Sequence, residues 1–434
     1  MPIYLRSLIQ IAILWSWLFS GVVLAQFSRG EEYIMLDYAA EADKNPVADL
    51  HARIGRGEVV LEYEEERGYL DSMLEALDID SASQLLVFSP TSLQYKLISP
   101  ATPRALYFND STYIGFVLNS TIVEVTTIDD DKGIVFYTFD NAPQNSRYFE
   151  RANQSCLVCH DTQGTLGGGV PVLLALSAPY SKANLPLVDS ININDQSPVE
   201  DRWGGWYVTG RHGLQAHLGN IMLESRDDLG QLDDYRIWNL DTMAGTGFMD
   251  PSPYPRDTSD IVALMILEHQ LTVQNQISYI KFKAPTVMKR QGLQDDIGAT
   301  SWAELSIAAQ ETLTDMLDEL VEPMVFLDAA NIASQLTGLQ EFTDSFQSRG
   351  PRDANGRSLR ELNLNGALFK YPLSYLIYSD DFNSLPAYAK DYLYQKLSAY
   401  LKGDEELVGI SAYSGADRKA ALEILRATKS DFRF

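Results

Sequence analysis

Two thiols and an imidazole lie close together in the segment Cys156-Leu157-Val158-Cys159-His160. Cysteines at this spacing can form thioether bonds to the two vinyl groups of a haem, and the histidine that follows can ligate the iron. The chain contains no other cysteine. The spacing therefore predicts one covalently bound haem on Cys156 and Cys159, with His160 as its proximal axial ligand. We also expect the other ring nitrogen of His160 to be hydrogen-bonded to a carbonyl group.

Other uses of the two cysteines fit the sequence less well. A thioredoxin-like dithiol is expected at a helix start early in a compact βαβ domain, whereas this motif follows a long β-rich stretch. A zinc site needs four ligands, and the sequence has no second Cys-x-x-Cys to complete one. A disulfide between Cys156 and Cys159 would close a very small loop and would leave His160 without a role.

The sixth ligand of the iron decides the chemistry, because a second protein ligand closes the site and an open position admits small molecules. His217, in a polar and glycine-flanked stretch, is the first candidate distal ligand. His269, on the apolar stripe of a predicted helix, is the second, although a buried histidine on such a stripe is more often a core residue. Met222, His212 and an open site are the remaining alternatives. His51 has no local signal for ligation.

The first 25 residues have the composition of an export signal. They carry one charge, Arg6, then an apolar run and the small-residue end Val23-Leu24-Ala25. This pattern predicts a cleaved signal peptide at 1–25 and a periplasmic protein. An uncleaved membrane anchor is the alternative, because the apolar run approaches the roughly 18 residues that can span a bilayer. Export agrees with the haem prediction, since c-type haem is normally attached outside the cytoplasm.

The chain is strongly acidic, with 34 basic and 59 acidic residues and a net charge of −25 at pH 7. Such a charge argues against nucleic acid and against anionic membrane surfaces as partners. It permits a basic redox partner protein, and it equally suits an exported protein that must stay soluble. The 45% of apolar residues is typical of a globular protein, and the length predicts two or three domains.

Local patterns predict an α+β fold with an N-terminal α+β region at 26–145, a haem c-binding region at 146–255 and a helical domain at 256–434. The first region contains a short helix at 69–77 and ends in strand-like runs separated by turn residues, as in an antiparallel meander. These runs lie at 106–108, 113–118, 122–125 and 134–137. A proline-containing linker precedes a long amphipathic helix at about 260–283. Apolar periodicity predicts further helices within 303–321, 387–402 and 416–427.

Three other segments carry weaker signals. Four glycines within 164–169 could let the backbone pass close to a flat macrocycle, but a flexible loop leading into a core strand fits equally well. The aromatic and glycine-containing residues 203–208 predict a strand pair. Four arginines within 349–360 could pair with haem propionates, although a solvated surface loop is favoured; they are Arg349, Arg352, Arg357 and Arg360.

With its motif at 155–160 the chain resembles c-type cytochromes. The stretches 103–110, 203–210 and 368–379 look like those of large exported bacterial monohaem cytochrome c-like proteins, and this resemblance would cover most of the mature chain. It implies covalent haem c at the motif and no particular reaction. The size departs from small class I cytochromes. A single motif departs from dihaem peroxidases, which need two haems in one chain.

These observations together predict a periplasmic c-type cytochrome that transfers electrons through cycling between Fe(III) and Fe(II). A haem peroxidase or oxygenase is the enzymatic alternative, with His217 or His269 as the distal acid–base group. A haem-based sensor or interaction protein is the third possibility, since a small cytochrome needs only about 100 residues to wrap its haem.

Overall fold

The computed structural model describes residues 38, 43–143, 149–161, 169–181, 190–223 and 238–434. An antiparallel sheet in the N-terminal half is followed by a mostly helical C-terminal half, which confirms the predicted α+β class. The predicted signal peptide at 1–25 lies outside the described residues, as do three of the four glycines that follow the motif.

Two helices and a six-stranded sheet form the N-terminal half. The helices are α1 (Pro46–Gly55) and α2 (Leu70–Ala76). The strands pair in sequence order as an antiparallel meander; they are β1 (Leu85–Val87), β2 (Arg104–Phe108), β3 (Thr112–Phe116), β4 (Ile122–Asp129), β5 (Gly133–Asp140) and β6 (Glu150–Arg151). The predicted short helix and the four predicted strand-like runs are thereby confirmed.

Both faces of this sheet are buried. Along β5, Ile134 and Phe136 belong to one hydrophobic core, and Val135 and Tyr137 belong to another. Successive side chains of a strand point to opposite faces, so the continuous apolar run of β5 is explained by cores on both sides. The first of these cores is shared with the C-terminal helices.

The Cys-x-x-Cys-His motif lies in helix α3 (Asn153–His160), which follows β6 directly. Short strands lie beyond it: β7 (Leu176–Ser177), β8 (Tyr180–Ser181), β9 (Ile191–Asn192) and β10 (Met222–Leu223). The amide of Ala152 donates to the carbonyl of Phe136 at 2.9 Å, which ties the start of α3 to β5.

The C-terminal half is built around α4 (Ile261–Arg290), whose N-cap Asp260 accepts a hydrogen bond from the Ala263 amide. The predicted long helix is confirmed and extends further than its pattern indicated. The remaining elements are α5 (Ile307–Met324), α6 (Gln340–Ser348), β11 (Leu362–Asn365), β12 (Ala367–Phe369), α7 (Asp380–Asn383), α8 (Ala387–Lys402) and α9 (Gly415–Thr428). Among the described residues, no helix has the length and apolar character needed to cross a membrane.

The prediction of a strand pair at 203–208 is wrong. Trp203 and Gly205 have φ angles of 67° and 81°, and the Trp206 amide donates to the Trp203 carbonyl at 2.9 Å. The segment is therefore a tight turn that meets the edge of β1 through an isolated bridge between Val87 and Trp206. Its apolar side chains resemble those of a strand, but a positive φ breaks a strand's extended backbone.

Candidate functional site

Helix α3 brings the three residues of the motif to one face. Cys156, Cys159 and His160 stand at positions i, i+3 and i+4 of Asn153–His160. Residues at this spacing are neighbours on a helix surface. Cys156 packs against the hydrophobic core that the sheet shares with the C-terminal helices, whereas Cys159 is exposed. The helix thus presents two thiols and an imidazole together at the edge of the core.

Two hydrogen bonds with Val172 hold His160. Its Nδ1 atom lies 2.8 Å from the Val172 carbonyl oxygen, and the Val172 amide donates to the His160 carbonyl at 2.9 Å. Since a carbonyl only accepts, Nδ1 carries the proton of the neutral ring and Nε2 carries the lone pair. No described residue forms a hydrogen bond with Nε2. The predicted bond from the second ring nitrogen to a carbonyl is confirmed.

The surroundings of His160 favour its neutral form. Burial lowers the pKa of His160 from its usual value of 6.5, and this effect outweighs the hydrogen bond to Val172, which raises it. The ring centroid of Phe136 lies 4.8 Å from that of the imidazole. A neutral ring with an uncommitted Nε2 is the form in which histidine ligates a metal.

The two cysteines are free thiols. Burial raises the pKa of the Cys156 thiol, whereas a catalytic dithiol requires a lowered pKa. Within the described part of the chain, no group of three or more His, Cys, Asp or Glu residues could hold a metal ion. The raised pKa of Cys156 argues against a redox dithiol.

A side chain of α4 fixes the backbone next to Val172. The side-chain oxygen of Asn275 accepts from the Leu173 amide at 2.8 Å, and its nitrogen donates to the Leu173 carbonyl at 2.9 Å. These two hydrogen bonds hold the extended segment after the motif against the long helix α4. Asn275 therefore supports, through Leu173 and Val172, the orientation of the His160 ring.

Arg104 is a cation whose charge acts on the motif. It forms an ion pair with Glu124, and both charges are close enough to influence the pKa values of Cys156 and His160. Its Nε atom is buried, and no residue in the described ranges forms a hydrogen bond with it. A buried guanidinium nitrogen that lacks an acceptor suits the carboxylate of a haem propionate. The donor set of the motif and this orphaned atom together fit a haem.

His217 pairs with His212 in a buried contact. The Nε2 atoms of the two rings are 3.2 Å apart, and the Gly219 amide donates to Nδ1 of His217 at 2.9 Å. His212 Nδ1 lies 2.7 Å from the carbonyl of Gln215. The structure thus brings two of the sequence candidates together, and both ring nitrogens of His217 are engaged.

His269 lies at the centre of a buried hydrogen-bond chain. Its Nδ1 atom is 2.9 Å from Asp195 Oδ2, and its Nε2 atom is 2.8 Å from Ser374 Oγ. The order of groups is that of a Ser-His-Asp triad. However, Ser374 is fully buried and its Oγ also accepts from the Leu376 amide at 3.2 Å. We therefore assign this chain of bonds to core structure, where it ties α4 to two distant segments.

Comparison with protein-family models, curated proteins and solved structures gives no significant match for this chain. No residue role is therefore transferred from another protein, and the resemblance to c-type cytochromes stays an expectation from the sequence.

Sequence reasoning identified the motif but missed the residues that support it. Val172, Asn275 and Arg104 are distant from one another along the chain, and only the fold assembles them beside α3. The apolar run after the glycines was the one local signal, because it suggested a segment packed near the motif. No periodicity or motif distinguishes Asn275 from the other polar residues of α4.

Proposed function

We propose that this chain is an exported c-type cytochrome that carries one covalently bound haem and transfers electrons in the periplasm. The observation that carries the proposal is the state of His160. Its Nδ1 atom is hydrogen-bonded to the Val172 carbonyl at 2.8 Å, and its Nε2 atom, without a partner in the described part of the chain, is available to a metal beside the two thiols. A structural histidine would not need two cysteines at this spacing beside it.

Each residue of the site would have a defined task. Cys156 and Cys159 would hold the haem through thioether bonds, and His160 would be its proximal ligand. When bound, the haem supplies reversible one-electron exchange between Fe(III) and Fe(II). Val172 holds the Nδ1 proton and thereby raises the basicity of the imidazole. Arg104 would donate a hydrogen bond to a propionate.

The distal position stays open between the two sequence candidates, with His217 preferred to His269. Each would have to release a present partner before it could bind iron: His217 would leave His212, and His269 would leave Asp195 or Ser374. The contact that His217 would give up, with His212, is the longest of these three at 3.2 Å.

The net negative charge of the chain favours a redox partner of opposite charge. A net charge of −25 raises the encounter rate with a positively charged protein at low ionic strength. A basic electron donor or acceptor is therefore the partner class that fits the chain.

Optical and electron paramagnetic resonance spectra of the purified haem protein test the proposed reaction. Electron transfer predicts a low-spin, six-coordinate ferric spectrum that cyanide and peroxide do not change. A high-spin ferric form that reacts with peroxide would instead favour a peroxidase or oxygenase. His217→Ala and His269→Ala, recorded in the same way, identify the distal ligand: only the variant that lacks the ligand should change the spectrum.

A further inference from the structure

A second site lies at the other end of β2 from Arg104, in a narrow cleft between α6 and the turn that joins β2 to β3. The walls include Phe108 at the end of β2, Asp110 in that turn, and Phe342 and Phe346 of α6. Two arginines complete the lining, Arg349 and Arg360. We call this feature the α6 cleft.

Arg360 contradicts the prediction of a solvated arginine loop. Its residue is only 5% exposed. The guanidinium carbon lies 4.2 Å from the ring centroid of Tyr375 and 4.7 Å from that of Phe346. Gly350, at φ +78°, leaves room for the stem of Arg360, because a Cβ there would lie 3.2 Å from Arg360 Nε. The guanidinium is thus held firmly in place by aromatic rings and by the shape of the loop.

One donor of this fixed cation is unused. Nη2 of Arg360 is paired with Asp110, but Nη1 is buried and has no hydrogen-bond partner among the described residues. A buried donor without an acceptor destabilises the fold, and more so when the group is charged. Since Arg360 lines the α6 cleft, a group that enters the cleft can supply the missing acceptor.

The second arginine is only weakly neutralised. Arg349 Nη1 lies 3.9 Å from Asp78 Oδ2, and the Asp78 side chain is 93% exposed. Such a contact contributes little in water. The cleft therefore offers two guanidinium groups, one buried and one partly exposed, to a single small anion.

From these contacts we propose that the α6 cleft binds a short monocarboxylate, whose carboxylate accepts hydrogen bonds from Arg360 and Arg349. The phenylalanine rings suit a short apolar body. Asp80 and Asp110 also line the cleft, so a dianion such as phosphate would be repelled more strongly than a monoanion. None of these residues belongs to the haem motif, and the inference is independent of the proposed function.

Saturation-transfer nuclear magnetic resonance with acetate and propionate, on the full purified protein at constant ionic strength, tests this site. Saturable binding of either carboxylate is expected, with little or no competition by inorganic phosphate. Arg360→Lys should weaken binding about tenfold or more, because a charge-assisted hydrogen bond is lost. Arg349→Gln should weaken it about threefold.

Arg352→Gln is the matched control, because Arg352 belongs to the same loop but bonds the carbonyls of Gly356 and Gln347 instead. It should bind acetate as the wild type does. Absence of saturable acetate binding to the wild type would overturn the proposal and would leave the cleft to water. Equal binding by wild type, Arg349→Gln and Arg360→Lys would also overturn it. If Arg360→Lys does not fold, Arg349→Gln alone decides.

Discussion

The two ring nitrogens of His160 have different surroundings. Its Nδ1 atom is held by Val172, its pKa is lowered by burial, and its Nε2 atom lacks a described hydrogen-bond partner. His269, in contrast, has both ring nitrogens in hydrogen bonds to buried side chains. The two histidines therefore differ in their contacts, and His160 alone of the two follows a Cys-x-x-Cys pair.

If the proposed haem is bound, replacing His160 should separate its covalent attachment from its ligation. In His160→Ala, Cys156 and Cys159 remain, so we expect the haem to stay covalently bound while its visible spectrum and reduction potential change. His51→Ala, a partly buried histidine far from the motif in sequence, should leave both unchanged. An unaltered spectrum and potential in His160→Ala would show that His160 is not the axial ligand.

Replacing His269 should affect stability more than the haem. His269→Ala leaves Asp195 and Ser374 without their partner in the core, and we expect a loss of about 2–4 kcal/mol in the free energy of unfolding. Urea denaturation measures this loss. The same variant should retain the wild-type haem spectrum; a changed spectrum with unchanged stability would assign His269 to the iron instead.

Among the secondary-structure elements, α3 is held in position by an ion pair in the strand before it and by hydrogen bonds to the segment after it. The strand before it, β6, carries Arg151, which pairs with Asp43 at 2.5 Å. The segment after it is pinned to α4 by Asn275. Both attachments cross long stretches of sequence, so the orientation of the motif depends on the whole fold.

Asn275→Ala removes both side-chain bonds to the Leu173 backbone. We expect the free energy of unfolding to fall by about 2 kcal/mol, because the amide and carbonyl of Leu173 lose their partners. The reduction potential of the haem should also shift, since the carbonyl that orients His160 is less well fixed. Gln276→Ala, at the next position of α4, is the control for helix propensity. Equal effects of the two substitutions would refute the supporting role of Asn275.

Asp43 adds a pH dependence to the same region. Burial raises its pKa, but hydrogen bonds from Lys132, Tyr137 and Arg151 outweigh burial and lower the pKa below 3.8. A carboxyl whose pKa is lower in the folded state stabilises the fold above its unfolded pKa, and this contribution is lost as the pH falls through the folded pKa. The stabilisation from Asp43 is therefore expected at neutral pH and not in strong acid.

The corresponding experiment compares Asp43→Asn with the wild type by urea denaturation at neutral pH and near pH 3. We expect a difference of about 1.5–3 kcal/mol at neutral pH that shrinks in acid. Asp49→Asn, at a side chain that is 64% exposed, should differ little from the wild type at either pH. A constant difference between wild type and Asp43→Asn would contradict the assigned charge.

The sequence predicted the secondary-structure elements well and the contacts between them poorly. Alternating and continuous apolar runs predicted the meander and the long helix, because side-chain periodicity follows backbone geometry directly. The strand pair predicted at 203–208 was wrong. The turn there depends on positive φ angles, and a run of apolar side chains does not indicate such angles. The burial of Arg360 was also missed, since it depends on aromatic rings supplied by α6 and by Tyr375.

Across the whole molecule, one hydrophobic core joins the sheet, the segment after the motif and the C-terminal helices. Phe136 of β5, Leu173 and Ile277 of α4 all belong to it. The predicted boundaries at 145 and 255 stay predictions. The chain is far longer than would be needed to enclose one haem. The proposed carboxylate site in the α6 cleft would account for part of the additional structure.

The most direct test of the central claim is the mass of the denatured protein after production in a bacterium that attaches c-type haem. The proposal predicts the mass of the mature chain plus one haem, which stays with the chain after acidic organic extraction, and two thiols that no longer react with an alkylating agent. The variant with both Cys156→Ser and Cys159→Ser should lose the haem. A denatured wild-type chain without haem, with both thiols still open to alkylation, would contradict the account.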